Sequence, residues 1–188
     1  MVGGVDGTTL TYAPSTPAGA PTTIDLGQVL QFDAPGPFTV TSQDDMHPFY
    51  MSAHMSGCET YTADTSDCRG DPEYVSIVPP EQYLAAYTFF TDPTYPETNL
   101  VLTREKKGGA FADVNIDCVG TVTGWTAIDA DDTIEYTRVE HVAGSTQPFG
   151  LVVWGWGSGA TGLFQSTYVS YAYPAGQAVK PINIVIIE

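Results

Sequence analysis

The residues with chemistry to offer are carboxylates and aromatics. Asp64, Asp67, Asp71 and Glu73 crowd one stretch and Asp129, Asp131 and Asp132 another, and gathered carboxylate oxygens are the ligands calcium takes. Neither spacing follows an EF-hand loop, so no cofactor is demanded and calcium is the single candidate, at the first stretch before the second. Trp154 and Trp156, with Tyr168, Tyr171 and Tyr173, would make an aromatic platform for a sugar or protein ligand, because such rings present large area at low entropic cost. The competing account of the same five rings is core packing.

Catalytic groups are harder to find. His47, His54 and His141 are scattered without a zinc-binding pair, and Gly157-Ser158-Gly159 lacks the strand, turn and helix context of a nucleophile elbow. The glycine-rich run from Gly155 to Gly162 has no Gly-Lys-Ser/Thr ending, so it reads as a loop and not as a phosphate cradle. Asp113 and Asp117 lie four apart and would share a strand face, the minimum for a carboxylate-pair hydrolase. Arg69-Gly70-Asp71 spells an integrin-recognition tripeptide, a string too short to carry weight. Three cysteines allow one disulfide and one spare thiol; the favoured pair is Cys58 with Cys68, nine residues apart, and Cys118 lies far along the chain.

The elements that must position these groups read as strands. Apolar and polar residues alternate over short runs cut by Gly, Pro, Asp and Asn, which predicts strands over 8–12, 28–32, 38–42, 49–55, 74–78, 87–90, 99–103, 114–118, 133–141, 149–154 and 182–187. Short strands at this frequency predict an all-β fold, an antiparallel β-sandwich of jelly-roll type, with at most one helical turn over 80–86. Asp6-Gly7 supplies the positive φ of a tight hairpin. Residues 104–109, which hold half of the cations, read as an exposed loop that keeps an edge from pairing. The run 182–187 is apolar but for Asn183 and would be an internal strand or a point of self-association.

Composition narrows the partners. Twenty-two acidic residues against six basic ones give a formal net charge of −16, a field that repels phosphate backbones and anionic headgroups, so nucleic acid is excluded as a partner. No apolar run reaches the length of a bilayer-spanning helix, and none is expected to insert. Residues 1–188 are expected to form a single unit, and the opening Met1-Val2-Gly3-Gly4 shows no leader.

Gly70-Asp71-Pro72-Glu73, then Val78-Pro79-Pro80-Glu81-Gln82-Tyr83-Leu84, then Tyr171-Ala172-Tyr173-Pro174-Ala175-Gly176, in this order, resemble the N-terminal domain family of the IgGFc-binding protein. Asp6-Gly7-Thr8-Thr9, the run from Leu26 to Phe32 and the stretch from Thr41 to Pro48 support the resemblance. The chain is more similar to bacterial-type members, and to the C-terminal part of the family's longer domain. The resemblance implies an extracellular or cell-surface adhesion or ligand-binding module with no assigned catalytic residues and a protein or glycan as partner. Two rivals stand beside that expectation: a structural subunit of a surface assembly or filament, and a polysaccharide hydrolase using Asp113 and Asp117.

Overall fold

The computed structural model describes residues 1–57, 70–92, 95, 97–117, 119–139, 144–157 and 169–178. It is nearly all β and its strand pairs are antiparallel, in keeping with a β-sandwich. Fifteen strands are described: β1 (Val2–Gly3), β2 (Thr8–Ala13), β3 (Thr23–Ile24), β4 (Thr39–Ser42), β5 (Phe49–Tyr50), β6 (Ser52–Met55), β7 (Glu73–Ser76), β8 (Leu84–Ala86), β9 (Glu97–Glu105), β10 (Val114–Ile116), β11 (Gly120–Thr121), β12 (Thr126–Ala127), β13 (Ile134–Val139), β14 (Gly144–Trp156) and β15 (Ser170–Pro174). The helical turn expected over 80–86 is a 3-10 turn at Pro80–Gln82, where proline's fixed φ suits a first helical position. Leu84–Ala86 continues instead as β8.

Two apolar clusters organise the described residues. The first half packs Leu10, Tyr12 and Ile24 among Leu30, Phe32, Phe38, Val40 and Phe49. There β2 pairs with both β3 and β4, and β1 with β5. In β2 the burial alternates strictly, with Thr8, Leu10 and Tyr12 inside and Thr9 and Thr11 outside, so its period of two is the sorting of one face inward. The second cluster is built on the long pair β9 and β14, matched over eight residues from Phe149↔Arg104 to Trp156↔Glu97. Phe149, Leu151 and Val153 alternate inward with Leu100 and Leu102, against Val114 and Ile116 of β10, Val122 and Tyr87.

β14 is the spine of the larger sheet. Gly144 pairs with both β8 and β10, while Phe149 pairs with both β8 and β9. The edge facing away from β8 therefore passes from β10 to β9 between these residues, and Pro148 sits at that hand-off, where a strand tolerates a residue without an N–H. The sequence expectation of a strand over 149–154 is short at both ends, since β14 runs through Pro148 to Gly144 on one side and on to Trp156 on the other.

Four expectations are corrected. Residues 28–32 form no strand: Gln28 N–H bonds Asp25 O, Gln28 Oε1 accepts the Asp25 N–H, and only an isolated bridge joins Val29 to Val2. Residues 87–90 form none either, because Tyr87 turns inward to donate its hydroxyl to Phe149 O and accept the Leu84 N–H. Gly155 and Trp156, read as the start of a glycine-rich loop, close β14 instead, and β15, where no strand was expected, pairs beside them. Residues 104–109 are not wholly an exposed loop, since Arg104 and Glu105 end β9. Arg104 lies 4.0 Å from the Trp125 ring centroid, pairs with Glu135 and donates to Ala112 O, so packing and pairing compensate its partial burial. The predicted strand 182–187 lies outside the described residues.

Candidate functional site

The register of β14 and β15 decides what the aromatic residues do. Directly paired residues point to the same side of a sheet, and neighbours along a strand to opposite sides. Trp154↔Ala172 and Trp156↔Ser170 therefore share one face, while Val153↔Tyr173 and Gly155↔Tyr171 share the other. Four of the five expected platform rings are thus divided between two faces, and Tyr168 lies outside the described residues.

Tyr171 and Tyr173 support a neighbouring segment. A Cβ at Gly155 would fall inside the Tyr171 ring, so the missing side chain is the ring's seat. The Tyr171 hydroxyl accepts the Asp92 N–H at 3.1 Å and lies 3.3 Å from Thr98 Oγ1, and Tyr95 meets its ring edge-on with centroids 4.8 Å apart. Tyr173 Oη accepts the Phe90 N–H at 3.0 Å and donates to Phe90 O. Burial pushes the Tyr173 phenol up from its ordinary pKa, and the hydrogen bond with the Phe90 backbone offsets part of the rise.

Trp154 and Trp156 differ in surroundings. Trp156 lies against Gly70, where a Cβ would be 3.3 Å from Trp156 Cδ1 and 3.1 Å from Met55 Cε. Gly70 also holds φ +72 and donates to Gly157 O, so both backbone and space call for glycine. Among the described residues, Trp156 Nε1 is a buried polar atom with no hydrogen-bond partner. Trp154 is half-buried opposite Asn99, in a row with Val152.

Of the acidic stretch, Asp64 and Asp67 lie outside the described residues, as do Cys58, Cys68 and Cys118. Asp71 is tied through its backbone: its N–H meets Ser170 Oγ at 3.3 Å and its carbonyl accepts the Ser170 hydroxyl at 2.7 Å. Glu73 Oε1 accepts the Tyr74 N–H at 2.8 Å. No group of three or more potential metal ligands occurs among the described residues. In the second cluster Asp129 caps a turn, accepting the N–H groups of Thr133 and Ile134 at 2.8 and 3.3 Å, and Asp132 pairs with Lys106 at 3.3 Å. Desolvation raises the Asp129 pKa, but the hydrogen bonds from Thr133 and Ile134 outweigh it and leave the carboxyl below its ordinary value. Asp113 and Asp117 flank β10, both exposed.

The sequence reading missed a group that the β6–β7 hairpin assembles. Ser52↔Ser76 and His54↔Tyr74 are cross-strand pairs, so these four side chains share a face, and Tyr50 joins them through its hydroxyl, 2.7 Å from Ser76 Oγ. The His54 and Tyr74 rings stack with centroids 5.7 Å apart at 22°, and Ser52 Oγ lies 2.9 Å from His54 Nε2. Tyr74 is 60% and Tyr50 45% exposed. The signal available was the alternation Tyr50-x-Ser52-x-His54, half of the stripe; Tyr74 and Ser76 enter only through pairing across the hairpin.

The described residues thus form a nearly all-β structure that, beside its many exposed carboxylates, presents one group of aromatic and hydroxyl side chains. A family model described as IgGFc binding protein matches residues 1–155, most of the chain. The chain belongs to the IgGFc binding protein family, a binding family. Comparison with curated proteins and with solved structures gave no match. Two of the segments that carry the resemblance lie within the match and have structural roles: Gly70 admits Trp156 and Met55, and Tyr83 lays its ring over Gly150 with its hydroxyl 2.9 Å from Thr103 Oγ1. The third, Tyr171–Gly176, lies beyond the matched residues and holds residues 90–92 in place. No helix among the described residues is long and apolar enough to cross a membrane.

Proposed function

We propose that this domain is a noncatalytic extracellular module that binds a protein or glycan ligand for adhesion or capture. Membership of a binding family carries the reading. The chemistry of the chain supports it: motif residues such as Gly70 and Tyr83 are occupied in packing, and the aromatic groups left at the surface suit recognition better than turnover. Of the two tryptophans, Trp154 is the better placed for a ligand, since Trp156 stands against Gly70 and Met55. Calcium is an optional ligand of Asp71 and Glu73 with Asp64 and Asp67, and a Cys58–Cys68 disulfide suits an oxidising compartment. The test is a binding screen on immobilised extracellular proteins, including the Fc part of immunoglobulin G, and on a glycan array. Saturable binding in either is expected; no binding to either class overturns the proposal.

A further inference from the structure

We infer that the outward face of the β6–β7 hairpin, with Tyr50 beside it, is a binding site for a neutral oligosaccharide. The inference rests on the binding-module reading and adds a place and a ligand class to it.

The face offers rings and hydroxyl-bonding groups in alternation. His54 and Tyr74 stack on one another, 22° apart, and the ring surface the stack leaves uncovered, with Tyr74 60% exposed, is held on a paired two-strand scaffold. Ser52, Ser76 and the Tyr50 phenol stand among them with donors and acceptors already oriented by their own bonds, Tyr50 Oη to Ser76 Oγ at 2.7 Å and Ser52 Oγ to His54 Nε2 at 2.9 Å. A pyranose needs both kinds of surface: its C–H face lies on an aromatic ring, and its equatorial hydroxyls exchange hydrogen bonds with groups at the ring's edge. Each side chain is held by a neighbour before ligand arrives, so little rotamer entropy remains to be lost on binding.

Charge and size select among ligands. None of the five side chains is a lysine, arginine or carboxylate, and the whole chain carries −16, so sialylated or sulfated glycans and other polyanions are repelled. A specific protein partner covers roughly 800 Å² on each side around an apolar, aromatic core. Five side chains with serines at the centre and no aliphatic residue are too few and too hydroxylated for that, and fit one or two sugar rings.

The test uses the full 188-residue chain on an array of neutral gluco-, galacto-, manno- and N-acetylglucosamine oligomers, beside sialylated and sulfated ones and a panel of extracellular proteins. Tyr74 is largely exposed, so Tyr74→Ala is expected to keep the fold, checked by circular dichroism. The expected result is neutral-oligomer binding that falls at least tenfold in Tyr74→Ala and in His54→Ala, is largely kept in Tyr74→Phe, and shifts the His54 ring resonances on titration. Neutral-oligomer binding indifferent to both alanine variants overturns the site and leaves the binding-module reading standing. Binding of proteins or acidic glycans alone overturns the ligand class and again leaves that reading standing. Binding of nothing overturns both.

Discussion

Tyr83 shows how one side chain serves packing and titration together. Its phenol covers Gly150 and meets Thr103, and burial pushes its pKa up to about 12. Burial raises Tyr87 as well. A tyrosine whose folded pKa lies above its unfolded value near 10 keeps its proton longer in the native state, so stability falls as pH rises from about 10 to about 12. Tyr83→Phe is expected to cost about 1 kcal/mol at neutral pH, the net value of a hydroxyl hydrogen bond, and to move the alkaline unfolding midpoint upward. Circular dichroism along a base titration checks this; an unmoved midpoint assigns alkaline unfolding to other groups.

At the scale of elements, the instructive pair is β15 and the segment it restrains. Tyr171 and Tyr173 hold the backbone of Asp92 and Phe90 through their hydroxyls. Tyr171→Phe and Tyr173→Phe should each speed amide exchange of the residue held, Asp92 in the first and Phe90 in the second, by about tenfold, with β9 amides unchanged. Faster exchange throughout the sheet would show a global loss of stability instead. The strands themselves were largely legible, since alternation marks β2, β9, β10 and β13. β15 was not, because Tyr171-Ala172-Tyr173-Pro174 ends in proline and its outline depends on β14 lying alongside. How the aromatic residues divide between faces was not legible for a related reason: which rings share a face is fixed by register between distant strands, and no local pattern carries that.

For the molecule as a whole, the question is how two apolar clusters behave as a unit. Ile77 N–H bonds Met51 O and Tyr50 meets Ser76, so β5, beside the first cluster, is tied to β7. Gly70 and Asp71, which lead into β7, bond to Gly157 just after β14 and to Ser170 of β15, strands that pack into the second. We expect one cooperative unfolding transition. Leu102→Ala, at a fully buried position of the second cluster, should lower it by about 2–5 kcal/mol without splitting it. Calorimetry resolving a second transition that Leu102→Ala leaves in place would make the clusters separate units. Finally, Gly155 and Tyr171 occupy between them the volume of a single side chain. Such a pair constrains descent as much as folding: across relatives that keep this register, a larger residue at 155 is tolerated only where the ring at 171 has gone, so the two positions should drift together, as should Gly150 with Tyr83.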